Sequence, residues 1–196
     1  VVKDLNLERK KYPGKALQKK FNYYKCHNSK PRDLEEVRLL NAYEAVMKER
    51  NLLDFEDLLL KVHEIFMNFP NVLEKYTEIF KYVLVDEFQD TNLVQYQIVK
   101  MLTEKSRNIF VVGDDDQSIY SFRGTNYENM NLFKKDFPEN KIFHLTQNYR
   151  STQKILDGCN LLIANNLNRE KKELFSEVEG SDNDVKIYQA YNEIGR

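Results

Sequence analysis

Cysteine is scarce in this sequence: Cys26 and Cys159 lie in unrelated segments, and neither belongs to a CxxC pattern. That scarcity excludes a disulfide-stapled scaffold, and the two thiols read as reduced and buried. Histidine offers no more, because His27, His63 and His144 are scattered and the adjacent Cys26–His27 pair lacks further ligands at metal-binding spacing. No apolar run approaches the roughly 18–20 residues that cross a bilayer, and no charged-then-apolar leader opens the chain. These absences favour the cytosol. Internal repeats and low-complexity tracts are missing too.

What is present suits a well-solvated globular unit. With 196 residues and 41% hydrophobic content, the chain can build one ordinary domain, or one domain and part of another. A net charge of −1 conceals an uneven distribution, since residues 1–30 carry nine Lys/Arg against Asp4 and Glu8. Such a stretch can track phosphates, and it can equally be a solvated helix face. The chain begins with Val1 and stops at Gly195–Arg196, just beyond a strand-like run. It therefore reads as an excised piece of a longer protein.

Residues 1–50 read as polar helices interrupted at Pro13–Gly14 and at Asn28–Pro31. A helix follows from Asp33, with Leu39, Tyr43, Val46 and Met47 at helical spacing. Asp54 has the chemistry of an N-cap, and Phe55, Leu58, Leu59, Val62, Phe66 and Phe69 form an apolar stripe expected to be core, closed by Pro70. From residue 81 one grammar recurs: short apolar strand, polar tip, helix. The strands expected are Tyr82–Val85, Ile109–Val112 and Ile142–Leu145, with a last one over Val185–Tyr191. Helices are expected after the first, carrying Val94, Ile98, Met101 and Leu102 on one side, and after the third, carrying Ile155, Cys159, Leu162 and Ile163. Strands without polar alternation, separated by helices, predict an α/β fold with a parallel sheet covered on both faces. Ligands of such sheets bind beyond the carboxyl ends of the strands, where all three polar clusters lie.

The first cluster sets Asp86 and Glu87 at the end of a buried strand. One carboxylate can hold Mg²⁺ while the other orients and deprotonates a water; a solvated strand end is the plainer reading. In the second, Gly113 permits a tight turn, Gln117 offers an amide to a terminal phosphate or a water, and Tyr120, Phe122 and Arg123 interleave aromatic faces with a cation. An acidic loop leading to core aromatics would look the same. In the third, Ser151 or Thr152 can cap a helix whose N-terminus favours anions, Arg150 can reach a phosphate, and Tyr149 can lie on a base. Taken singly, Arg150 suits a surface ion pair.

Together the clusters carry a resemblance. DEFQDTN (Asp86–Asn92), VVGDDDQSIYSFRG (Val111–Gly124) and LTQNYRST (Leu145–Thr152) resemble three consecutive motifs of superfamily 1 DNA helicases of the UvrD/Rep/PcrA type, in the same order and at similar separation. LLDFEDLLL (Leu52–Leu60) is similar to a further segment of that family. The resemblance is weak over 1–50 and strong over 52–175. It implies an ATP-dependent helicase moving 3′→5′ on single-stranded DNA and opening partial duplexes. Asp86 would bind the Mg²⁺ of Mg-ATP, Glu87 would be the catalytic base, and Gln117 would sense the γ-phosphate. Tyr120, Phe122 and Arg123 would contact DNA, Arg150 the γ-phosphate, and Tyr149 adenine. Phe122 departs from the family's usual tryptophan, keeping a stacking face with less area and no N–H.

The family's phosphate loop, G-x-x-x-x-G-K-[ST], has no counterpart in these 196 residues. Gly14–Lys15 comes nearest, but Arg9 and Ala16 break the pattern and no strand precedes it. The resemblance thus implies a helical accessory subdomain over 1–52, the latter part of a RecA-like motor domain over 53–145, and the start of a second over 146–196. By itself this piece is expected not to hydrolyse ATP. Two further readings share the motifs: a non-catalytic DNA-binding relative, and a helicase–nuclease subunit.

Overall fold

A computed structural model describes residues 12–118, 125, 126, 128–166, 171–181, 185, 186 and 189. They divide into two compact units, within 1–138 and 139–196. The first unit opens with α1 (Gly14–Cys26) and α2 (Leu34–Glu49), which bury Leu17, Phe21, Leu39 and Leu40 against each other, with Tyr43 packed alongside. Asp33 caps α2 by accepting from the Glu35 and Glu36 N–H groups. Lys20 and Tyr24 of α1 both donate to Glu36, tying the pair at its rim.

Helix α3 (Phe55–Asn68) starts in a reciprocal capping box, with Asp54 accepting from the Asp57 N–H and the Asp57 side chain accepting from the Asp54 N–H. The same two carboxylates receive Lys25 from α1, whose Nζ lies 2.5 Å from Asp54 and 2.6 Å from Asp57. Lys25 is only 5% exposed, so one lysine of the basic N-terminal stretch is an internal tie and not a phosphate-tracking surface. Tyr43 of α2 donates to Asp54 at 2.9 Å, and its ring lies under the Lys25 ammonium. Burial opposes these charges, but the two carboxylates outweigh it and hold the Lys25 ammonium above its ordinary value.

The apolar stripe expected to be core is only partly so. Phe66 is buried, while Phe55 is 85% exposed and Leu58, Val62 and Phe69 are also exposed. Apolar residues occupy more of the circumference of α3 than one neighbour can cover, and only the side toward α1, α4 and α5 finds partners among the described residues. Pro70 does end α3, but it also opens an unexpected helix, α4 (Pro70–Ile79), at whose first position its missing N–H costs nothing.

Strands β1 (Val83–Val85) and β2 (Ile109–Val111) pair in parallel, Val83 opposite Ile109 and Val85 opposite Val111. Between them runs α5 (Leu93–Thr103), begun by an Asn92–Gln95 capping box. The inner sheet face packs on Phe88, Tyr96, Phe133 and Phe137, the last two from the region of α6 (Asn129–Asp136). The other face carries Leu84 opposite Phe110, and these are 74% and 58% exposed. Coverage on both faces is therefore not met among the described residues.

The third expected strand is absent: residues 141–146 have no regular structure, and Ile142, Phe143 and Leu145 are exposed. An apolar run with no neighbouring strand among the described residues has no ladder there to join. Among the described residues of this second unit a parallel bridge joins Gln147 to Phe175, and α7 (Gln153–Ile163) steadies it, Asn160 bonding Leu174 and Gln153 accepting from the Ser176 N–H. Leu156 is the buried residue of α7, whereas Leu162 and Cys159 are exposed, against expectation. Cys26 is buried as expected, and burial pushes its thiol up to about 11. The strand expected over 185–191 lies largely outside the described residues. No helix among the described residues is long and apolar enough to cross a membrane.

Candidate active site

The parallel pairing continues past the strands. Val112 N–H donates to Val85 O at 2.8 Å and Phe88 N–H to Val112 O at 2.9 Å, so the two strand tips are stitched together. Phe88 is fully buried beneath them. To drop Phe88 into the core while Asp86 and Glu87 stay outside, the chain turns sharply at Glu87, which adopts left-handed φ 48° and ψ 43°. For a residue with a Cβ this conformation costs roughly 1–2 kcal/mol, and such strain concentrates at functional positions. Asp86 accepts the Glu87 N–H at 2.9 Å through Oδ1.

Gln89, buried one step further on, faces both tips. Its Nε2 donates to Glu87 Oε2 at 2.8 Å, and its Oε1 accepts the Asp114 N–H at 3.0 Å. Asp114 then caps the short turn Asp115–Gln117: one oxygen accepts the Asp116 N–H at 3.0 Å and the other accepts Gln117 Nε2 at 2.8 Å. Gly113 matters here through its lack of volume. A Cβ on it would lie 2.7 Å from Gln89 Oε1 and 3.3 Å from the backbone nitrogens of Phe88 and Gln89. The close approach of one tip to the other, more than turn conformation, demands glycine.

The far side of the second tip is anchored as well. Asn129, almost wholly buried, donates to the Thr91 hydroxyl and to the Thr91 and Asn92 carbonyls, and it accepts from Asn126 Nδ2. Asn126 N–H donates to Thr91 O at 3.0 Å. Asp114 and Asn126 are thus both tied to the DEFQDT turn. Sequence reasoning missed Gln89, Asp114 and Asn129. Their only signal was position inside or beside a motif.

Asp86, Glu87 and Gln117 are therefore brought to one edge. Residues 3–138 match the family described as the UvrD/REP helicase N-terminal domain. The chain belongs to the UvrD/REP helicase family. It is 41% identical to DNA helicase II of Haemophilus influenzae over 96% of this chain and 27% of the relative. It is 37% identical to DNA helicase II of Escherichia coli, over 99% of this chain and 28% of that protein. Against the ATP-dependent DNA helicase PcrA of Bacillus subtilis the identity is 37%, over 100% of this chain and 28% of the relative. The chain thus spans under a third of the length of these curated relatives.

The remaining family positions fall elsewhere. Tyr120, Phe122 and Arg123 lie outside the described residues. Tyr149 and Arg150 belong to the second unit, both exposed, on a turn that Asn148 holds by accepting the Arg150 and Ser151 N–H groups. Tyr149 donates to Gln147 at 2.9 Å. Thr152 stands at the N-cap of α7, although its side chain does not make the capping bond. A cavity of about 620 Å³ lies around Lys25, Asp57 and Leu60, and Asp86, Glu87 and Gln117 do not line it.

Proposed function

We propose that this chain supplies the metal-binding, water-activating and phosphate-sensing groups of an ATP-dependent DNA helicase. The whole protein would couple ATP hydrolysis to 3′→5′ movement on single-stranded DNA and to opening of partial duplexes. The observation that carries this reading is the hydrogen-bonded meeting of Glu87 with the Asp114–Gln117 turn, at the carboxyl edge of two parallel strands. In this reading residues 53–145 are the latter part of a RecA-like motor domain and 146–196 open a second. Residues 1–52 are a helical insertion, and the protein works in the cytoplasm.

The donor set suits magnesium. Asp86 is an exposed hard-oxygen ligand with one oxygen engaged by the Glu87 N–H. Mg²⁺ usually takes one or two carboxylates, completing its shell with water and substrate phosphates, and among the described residues no cluster of three or more ligating side chains competes for it. When bound, the ion neutralises charge on the β- and γ-phosphates. The protein's own work is positioning. Glu87 Oε2 is held by Gln89, leaving Oε1 to orient a water in line with the γ-phosphorus and to take its proton as the bond to the departing ADP breaks. Gln117 reports the γ-phosphate, Arg150 balances its charge, and Tyr149 lies on adenine.

Tyr120, Phe122 and Arg123 follow Gln117 by three to six positions, so one short segment would meet both phosphate and DNA. A base stacked on an aromatic ring contributes about 1–3 kcal/mol. In the full-length protein Phe122→Ala should therefore weaken single-strand affinity by roughly ten- to a hundred-fold, with Phe122→Trp near wild type. Fluorescence titration with labelled single-stranded DNA, run beside thermal unfolding, tests this. Unchanged affinity, or a collapsed melting temperature marking a core residue, sinks the assignment. The helicase reading itself requires DNA-stimulated phosphate release and strand separation by the full-length protein.

A further inference from the structure

We infer that Gln89 is a positioning residue that fixes the Glu87 carboxylate and ties it to the loop bearing Gln117. The inference rests on the reading of Glu87 as base given above. A buried glutamine must satisfy both ends of its amide, and this one does so with two different tips of the sheet. Its N–H points at Glu87 Oε2 and its carbonyl oxygen takes the Asp114 N–H. The Asp114 carboxylate continues to the Gln117 amide, so an unbroken chain of side chains and one backbone group runs Glu87–Gln89–Asp114–Gln117.

Two features of the surroundings fit a positioning role better than simple filling of space. Glu87 is held in a left-handed backbone conformation, which aims its carboxylate and leaves the side-chain torsions as the remaining freedom. Gln89 removes that freedom by fixing one oxygen. Gly113, in turn, leaves a gap that the Gln89 carbonyl oxygen occupies, since a Cβ there would stand 2.7 Å from it. Displacement of Asp114 would be passed to Glu87 through a single side chain. The chain therefore offers a direct mechanical link between the phosphate-sensing turn and the base.

The test measures kcat and KM for Mg-ATP in the full-length protein at saturating single-stranded DNA. Gln89→Met keeps length and burial while removing both bonds. It should lower kcat by about ten- to a hundred-fold, the scale of a misplaced catalytic group, with KM changed less than about threefold. Because Gln89 acts through Glu87, the double variant Glu87→Gln/Gln89→Met should turn over no more slowly than Glu87→Gln alone. Gly113→Ala supplies a second route, since its methyl displaces the Gln89 amide. It should lower kcat in the wild-type background, and lower it less beside Gln89→Ala, where the 2.7 Å clash with the amide is gone and only the 3.3 Å backbone contacts remain. A Gln89→Met enzyme with wild-type kcat, or losses that multiply with Glu87→Gln, overturns the role of Gln89 alone. Wild-type turnover by Glu87→Gln overturns the base assignment, and the role of Gln89 with it.

Discussion

Glu87→Gln in the full-length protein should cut ATP turnover by roughly 10²–10⁴-fold, the usual worth of a positioned general base, while nucleotide binding stays close to wild type. The substitution keeps the size of the side chain and an oxygen able to accept from Gln89, so the contacts of the DEFQDT turn survive. What is lost is the capacity to take a proton. Asp86→Ala should behave differently, weakening magnesium-dependent nucleotide binding as well as turnover. Equilibrium binding of a fluorescent ATP analogue, set beside steady-state phosphate release, separates the two outcomes. Parental turnover by Glu87→Gln would require another base.

Lys25→Ala should destabilise the protein by about 3–5 kcal/mol, because removing one partner of a buried ion pair strands the other charges. Here two carboxylates, Asp54 and Asp57, are left facing a space the ammonium had filled, at the junction of α1, α2 and α3. The pH dependence gives a second handle. Burial pushes the Asp54 carboxyl up, but bonds from Lys25, the Asp57 N–H and Tyr43 outweigh it and hold the group below its ordinary value. A lowered carboxyl contributes stability that is complete above its unfolded value, about 3.9, and is lost as pH falls through the folded one. Lys25, raised, contributes below about pH 10.4 and loses that contribution as pH rises through its folded value. The gap between wild type and variant should therefore be widest between those limits and narrow on either side. Denaturant titrations at pH 3, 7 and 11 would show it; a pH-independent gap would mean that lost packing, not charge, is responsible.

Much of the local structure was legible because its causes are local. Asp33 and Asp54 announce helix starts through side chains that reach only two or three residues along. Val83–Val85 and Ile109–Val111 read as strands because each is a short apolar run before a polar tip. The run at 142–145 has the same texture and forms no strand, because pairing depends on a partner that the run itself does not encode. Pro70 was read as a stop when it is a stop and a start at once.

The candidate site divides along the same line. Asp86, Glu87 and Gln117 stood out through motifs that resemble the helicase family, where acids and an amide at strand tips suit phosphate chemistry. Gln89 and Asn129 did not, since half of what each buried amide bonds lies 25 to 38 positions away. Lys25 was hidden by company, one cation among nine, until burial set it apart.

The open sheet face bears on how this stretch of polypeptide behaves in the test tube. Leu84 and Phe110 stand side by side on a ladder that has two strands among the described residues, each with one unpaired edge there, and Tyr82 is exposed just before β1. Uncapped parallel edges with an oily face are templates for unwanted pairing between molecules. Produced alone, the 196 residues should scatter light and bind hydrophobic dyes at micromolar concentration. Replacing Leu84 or Phe110 by lysine should suppress both, because neither side chain belongs to the Phe88 cluster on the opposite face. The same change would serve anyone who wants this piece soluble for spectroscopy, as a gatekeeper charge does in natural strands.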